Sequence, residues 1–261
     1  VRIEDTDTPR CIPGAAQDIL QTLKAFGLHW DGDVIWQHQR THLYQRALDD
    51  LAARQLTFAC ACTRREIDLL QGRPHRGQGQ HYPGTCRGGL PTGKPARAVR
   101  FSSNGQTVQW QEAGEGLQCV NLESDSGDFV IHRADGLWAY QLAVVVDDRE
   151  QGITHVVRGA DLKDSTARQV ALFGALGAQQ GDIPRYWHLP LVLNEHGEKL
   201  SKQAGAKALV TADAVGELNA AWRVFGLPAL AADTPGQWLD KALPRWAAYS
   251  QQHSQGQQGG D

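Results

Sequence analysis

Apolar residues recur every three to four positions in some stretches and every second position in others, which separates helices from strands. Ile19, Leu20, Leu23 and Phe26 share one face of a helix predicted over residues 15–28, with Gly27 placed to end it. Pro9 and Pro13 delay that helix after the polar turn following Arg2-Ile3. Leu43, Tyr44, Ala47, Leu48 and Leu51 form the apolar side of a second helix, over residues 39–56. The pattern breaks over 58–63, a short helix is predicted over 64–71, and residues 72–95 hold too much Gly and Pro for regular structure. Strands are predicted at 96–101, 107–111 and 129–133. Residues 138–149, centred on Leu142-Ala143-Val144-Val145-Val146, pack as a helix on a sheet. A strand around Val156 and Val157 spans 153–158. The next helix spans 161–176, with Asp161 or Asp164 as its cap. Residues 186–193 form a strand whose apolar end, Leu189-Pro190-Leu191-Val192-Leu193, is expected to be buried. Helices follow at 212–225 and 234–248, and the polar stretch 251–261 is expected to be disordered. Strands alternating with helices place the chain in the α/β class.

Composition narrows the partners. A chain of 261 residues with 41% hydrophobic content can bury one large domain, or one domain carrying an insertion. The net charge of −3 gives no global basic field, so any nucleic-acid contact must use local patches. No apolar run approaches membrane-spanning length, and no secretory leader is recognisable. Five cysteines, two of them as Cys60-Ala61-Cys62, do not make a disulfide framework and point to a reducing cytoplasm. The sequence opens on Val1 and contains no Met. Arg2-Ile3 reads as the end of a strand whose preceding βα unit is expected upstream.

Two constellations carry candidate chemistry. Glu198-Lys199-Leu200-Ser201-Lys202-Gln203 follows an Asn194-Glu195-His196-Gly197 turn. Two lysines three apart on a loop hinged by glycine suit a cationic clamp for a polyanion. Cys60, Cys62 and Cys86 offer three thiolates at loop positions, a donor set suited to tetrahedral zinc. On residue type alone the fourth ligand stays open among His75, His81 and Tyr82, with the histidines the commoner choice. Arg64, Arg65, Arg73, Arg76 and Arg87 surround this loop as candidate phosphate contacts.

Five ordered blocks resemble the class I aminoacyl-tRNA synthetases specific for glutamate and glutamine. They are Arg2-Ile3-Glu4-Asp5-Thr6-Asp7, Gly27-Leu28-His29-Trp30-Asp31, the run from Asp128 through Tyr140-Gln141-Leu142-Ala143, Thr154 through Leu162, and Lys199-Leu200-Ser201-Lys202-Gln203. The resemblance covers residues 1 to about 205. Val144 stands where full-length glutamyl enzymes usually have Asn, and little chain follows Gln203. Both features resemble the truncated glutamyl-queuosine branch of the family. One departure is plain: the His-Ile-Gly-His type ATP signature is absent from these 261 residues, as is the Arg-Phe-Ala-Pro-Ser block that precedes it.

The resemblance implies a Rossmann-type parallel sheet carrying an inserted zinc-containing α/β subdomain, with helices at the C-terminal end. Its expected divisions are 1–57 and 128–205 for the catalytic domain, 58–127 for the insertion, 206–250 for the helices and 251–261 for the tail. It implies L-glutamate activation with ATP and Mg2+ by a monomeric chain, and transfer to queuosine in tRNA(Asp). Alternatives are a fragment of an ordinary glutamyl-tRNA synthetase and a catalytically inactive tRNA- or nucleotide-binding paralogue. Lys199 and Lys202 would be catalytic, with Lys202 and Ser201 on ATP. Glu4 would face the α-ammonium of glutamate, Tyr140 would offer a hydroxyl, and Arg158 would receive a carboxylate. The same branch favours Tyr82 beside Cys60, Cys62 and Cys86 as the zinc ligands.

Overall fold

A computed structural model describes residues 1–71, 81–194, 196–200 and 207–255. In chain order the first elements are β1 (Arg2–Ile3), α1 (Ala15–Ala25), β2 (Ile35–Trp36), α2 (Thr41–Ala53), β3 (Thr57–Cys60) and α3 (Arg64–Gln71). Then come β4 (Ala98–Phe101), β5 (Thr107–Glu112), β6 (Gly116–Asn121), the single turn α4 (Leu122–Asp125), β7 (Phe129–His132) and α5 (Tyr140–Glu150). Last are β8 (His155–Gly159), α6 (Lys163–Ala175), β9 (Arg185–Leu189), α7 (Ala214–Arg223) and α8 (Pro235–Gln255). The chain divides into two compact units, one of Glu4–Pro9 and Trp36–Leu189, the other of Val1–Ile3, Arg10–Ile35 and Pro190–Asp261.

The larger unit holds two sheets. β3, β4 and β7 form an antiparallel sheet in that order, with Cys60 opposite Ala98. The second has the order β6-β5-β9-β8: β5 and β6 are antiparallel, while β9 runs parallel to both β5 and β8. α5 is buried along much of its length, with Leu142, Ala143, Val144 and Val145 all buried. It packs with α6, Tyr44, Leu51, Phe101 and Ile131 in the main core. The buried carboxylate of Asp147 ties this helix back to α2. It accepts from Tyr44 Oη at 2.7 Å, Gln37 Nε2 at 2.8 Å and Arg40 Nε at 2.6 Å.

Several expectations are corrected here. Residues 58–63 were expected to interrupt the pattern, yet Thr57–Cys60 is a strand because β4 supplies its ladder. β6 has no counterpart in the periodicity reading, since most of its residues are exposed and its strand identity comes from pairing with β5. α6 is not capped by Asp161 or Asp164. A 3-10 turn, Ala160–Leu162, leads into it, Leu162 occupies the cap position, and no side chain caps it. β9 stops at Leu189, where Pro190 removes a donor, and Val192 and Leu193 are exposed rather than buried.

In the smaller unit, α1 ends as expected. Gly27 adopts φ +73°, and its N–H bonds the carbonyl of Lys24. A Cβ there would meet Leu239 and Pro235 at 3.4 Å, an ordinary contact, so it is the backbone conformation that favours glycine. α7 and α8 share a cluster of Trp222, Leu230, Trp238 and Ala242. Asn219 is its polar pin: it accepts from the Leu230 N–H at 2.8 Å and from Trp238 Nε1 at 2.9 Å, and donates to the Leu230 carbonyl. α8 runs through Gln255, into the stretch expected to be disordered. Among the described residues, no helix is long and apolar enough to cross a membrane.

Candidate active site and metal centre

Cys60 closes β3, and Cys62 follows just before α3. That helix starts with a capping box: Glu66 accepts from the Thr63 N–H at 2.8 Å, and Thr63 Oγ1 accepts from the Glu66 N–H at 3.2 Å. Lys94 also bonds Glu66. These bonds hold the Glu66 carboxyl at about 2, well below the usual carboxylate range; the Lys94 bond contributes most. Tyr82 reaches the cysteines from the other side through a bridge to Gly127, whose backbone it approaches so closely that a Cβ there would sit 3.1 Å from the Tyr82 carbonyl.

Cys60, Cys62 and Cys86 bring their three sulfurs within 4.8 Å of one another, and Cys60 and Cys86 are buried. Cys62 Sγ and Cys86 Sγ are 3.6 Å apart, close to the ~3.8 Å edge of a zinc–thiolate tetrahedron with bonds of about 2.3 Å. The three thiols could hold a metal ion. Tyr82 Oη lies 3.5 Å from Cys60 Sγ and 3.6 Å from Cys62 Sγ, and accepts from the Cys86 N–H at 2.9 Å. His81 turns elsewhere, with Nε2 2.5 Å from the Glu123 carbonyl, and His75 lies outside the described residues. Burial pushes the Cys60 thiol up, but bonds from Tyr82 and Arg100 outweigh it and bring it below its usual value. Arg100 is the residue that sequence reading missed: its Nε donates to Cys60 Sγ at 3.3 Å while its guanidinium lies 3.8 Å over the Tyr82 ring. No disulfide joins any of the five cysteines.

The second constellation sits where β8 and β9 run in parallel register, Arg158 opposite His188. Arg158 donates from Nη1 to Gln169 Oε1 at 2.8 Å and from Nη2 to Thr166 Oγ1 at 2.9 Å. It also donates from Nε to His188 Nε2 at 3.1 Å and from Nη1 to Tyr140 Oη at 3.4 Å. Every one of these partners is uncharged or a neutral imidazole, and among the described residues no carboxylate pairs with Arg158. Burial pushes the Tyr140 hydroxyl above its usual value. The nearby Glu4 carboxylate pushes the same way, against Arg158. The structure therefore brings Glu4, Tyr140 and Arg158 into one electrostatic neighbourhood. Thr166, Gln169, His188 and Glu112 complete it. Glu112 was legible in principle, because β5 alternates Val108, Trp110 and Glu112 on its buried side.

The lysine loop is described only in part. Asn194 Oδ1 accepts from the N–H groups of His196 at 3.0 Å and Glu198 at 2.9 Å, and Leu193 bridges Lys199 across this turn. Ser201 and Lys202 lie outside the described residues, as do Arg73 and Arg76. Of the remaining candidate phosphate contacts, Arg64 and Arg65 are exposed. Arg87 is not available: it is engaged with Asp128 at 2.9 Å and with Glu123 at 3.1 Å.

A family profile, tRNA synthetases class I (E and Q), catalytic domain, matches residues 1–222. The chain belongs to this family. A curated relative from Bordetella bronchiseptica, named Glutamyl-Q tRNA(Asp) synthetase, is 49% identical over 95% of this chain and 77% of its own length. One of the same name from Burkholderia cenocepacia is 51% identical over 95% of this chain and 84% of its own. Among solved structures, a glutamate–tRNA synthetase from Elizabethkingia anophelis is similar with TM-score 0.64 and 27% identity over 78% of this chain. The chain spans just under half the length of that synthetase, 46%. The fold is that of a class I synthetase catalytic domain, in which β9 runs parallel to both β5 and β8.

Proposed function

We propose that this class I synthetase activates L-glutamate with ATP and transfers it to the queuosine base at the wobble position of tRNA(Asp). The observation that carries the substrate is Arg158. A half-buried guanidinium ringed by neutral acceptors, with no acidic partner among the described residues, is a receptor awaiting a carboxylate. The name shared by the curated relatives supports the acceptor.

In this reading Arg158 takes a glutamate carboxylate, Tyr140 donates its neutral hydroxyl, and Glu4 balances the α-ammonium. The α-carboxylate oxygen attacks the α-phosphorus of Mg2+-bound ATP, and pyrophosphate leaves. A ring hydroxyl of queuosine then attacks the acyl carbon, AMP leaves, and the hydroxyl proton is lost. Charge gathers on the phosphates late in the first step, when Lys199 and Lys202 would close on them with Ser201 bonding between. Zinc would be held by Cys60, Cys62, Cys86 and Tyr82. It would fix the loop structurally and leave the chemistry to other residues. Residues 58–127 then act as an insertion in a Rossmann-type catalytic domain formed by 1–57 and 128–205, followed by helices over 206–250 and a tail over 251–261.

The test uses the full-length protein, ATP, labelled glutamate and two RNAs. Queuosine-bearing tRNA(Asp) shortened enzymatically at its 3′ end should still accept glutamate. Glutamate found only on the intact 3′ end of tRNA(Glu) would make the protein an ordinary glutamyl-tRNA synthetase instead.

A further inference from the structure

One of the hydrogen bonds that orient Arg158 leads through His188 to the carboxylate of Glu112. Arg158 Nε–H donates to His188 Nε2 at 3.1 Å, so this nitrogen presents a lone pair. A neutral imidazole with an accepting Nε2 carries its proton on Nδ1. His188 Nδ1 lies 2.9 and 3.0 Å from the two oxygens of Glu112, and both side chains are almost wholly buried. We propose that Glu112 is a positioning residue for glutamate recognition. It fixes the Nδ1-protonated tautomer of His188, and that tautomer holds the Arg158 fork in place for the substrate carboxylate. The role rests on the reading of Arg158 as the carboxylate receptor.

The surroundings demand a carboxylate at residue 112. Its oxygens accept from the His188 N–H at 3.0 Å, from His188 Nδ1 and from Trp110 Nε1 at 3.1 Å. Burial pushes this carboxyl up, but the bonds from His188 and Trp110 outweigh it and bring it below its usual value. A glutamine offers one accepting oxygen and an amide N–H2 to the same three donors. Its N–H2 must face either Trp110 or His188. Facing His188, it drives the ring proton to Nε2, which then meets Arg158 Nε–H donor to donor. Facing Trp110, it sets two donors against each other in a buried space. A simpler role would be a staple between β5 and β9, whose ladder is the single pair Glu112 and Tyr186. A staple changes stability and leaves the imidazole tautomer and glutamate affinity alone.

The experiment is nitrogen NMR of His188 in full-length protein, with L-glutamate affinity measured by calorimetry. Wild type should show the Nδ1–H tautomer. Glu112→Gln should lose it and raise the glutamate dissociation constant tenfold or more. Adding Trp110→Phe to Glu112→Gln removes the conflicting donor, so the amide can turn its oxygen to His188. This double variant should recover the tautomer and bring affinity within about threefold of wild type. An Nε2–H tautomer in wild type, wild-type affinity in Glu112→Gln, or no recovery in the double variant would each overturn the proposal. If Glu112→Gln alone does not fold, the wild-type tautomer and the double variant still decide it. Arg158→Lys separates the two levels: unchanged glutamate affinity there would remove the carboxylate receptor itself, whatever the tautomer of His188.

Discussion

Arg158 gains its orientation from four side chains and keeps its charge for a ligand. Lysine at this position would retain the charge and lose the planar fork that Gln169, Thr166 and His188 hold. Arg158→Lys should therefore weaken L-glutamate binding by tenfold or more, about 1.4 kcal/mol, with little change in melting temperature. Calorimetric titration checks it. The metal centre gives a second prediction. Protein purified without chelator should hold one zinc per chain by elemental analysis, and Cys60→Ser with Cys62→Ser should abolish it. In Tyr82→Phe the metal should be held more weakly, because His81 already faces the Glu123 carbonyl. Zinc affinity equal to wild type would remove Tyr82 from the ligand set. Residue chemistry alone exposed the Cys-x-Cys pair and Cys86. It left the fourth ligand open, because residue type says nothing about which way a neighbouring histidine turns. Arg100 and His188 were hidden for the same reason, since their roles come from partners 40 and 30 positions away in the chain.

Elements were legible where periodicity ran long and illegible where pairing decided. α1, α2 and α6 lie within their predicted spans, and α5 runs one residue past its own, because an apolar stripe of three or four turns admits one structure. β3 is four residues and gets its identity from β4, and β6 is a mostly exposed edge strand paired to β5. No pattern within either segment carries that information. The start of α3 was predicted correctly at Arg64, although the capping box that fixes it went unread. Its acid sensitivity follows from the sign of the shift at Glu66. A carboxyl held at about 2, against about 4.3 unfolded, adds stability that is full above pH 5 and fades as pH falls toward 2. Glu66→Gln should lose less stability than wild type between pH 6 and pH 3, read as the shift in urea midpoint. Equal shifts in both proteins would show that the box contributes nothing, an outcome favoured by salt because Glu66 is exposed.

At the scale of the whole chain, five blocks in order foretold the family better than any element foretold the sheet. Charge was legible at once, and it sets the last prediction. Twenty-six basic and 29 acidic residues give no net positive field, so tRNA is to be met through local basic patches. Arg64 and Arg65 are exposed beside the thiol cluster, whereas Arg87 is neutralised by Asp128 and Glu123. Each phosphate contact on a single-stranded loop contributes a slope of about −0.7 to log affinity against log salt. Two to four such contacts give roughly −1.5 to −3 between 50 and 200 mM salt for a queuosine-bearing anticodon stem-loop. Arg64→Glu with Arg65→Glu should lower affinity and flatten the slope. Arg87→Glu should leave the slope alone and lower the melting temperature, because it strands the buried Asp128 carboxylate. A wild-type slope steeper than about −6 would require a broad basic face and would overturn the local-contact account.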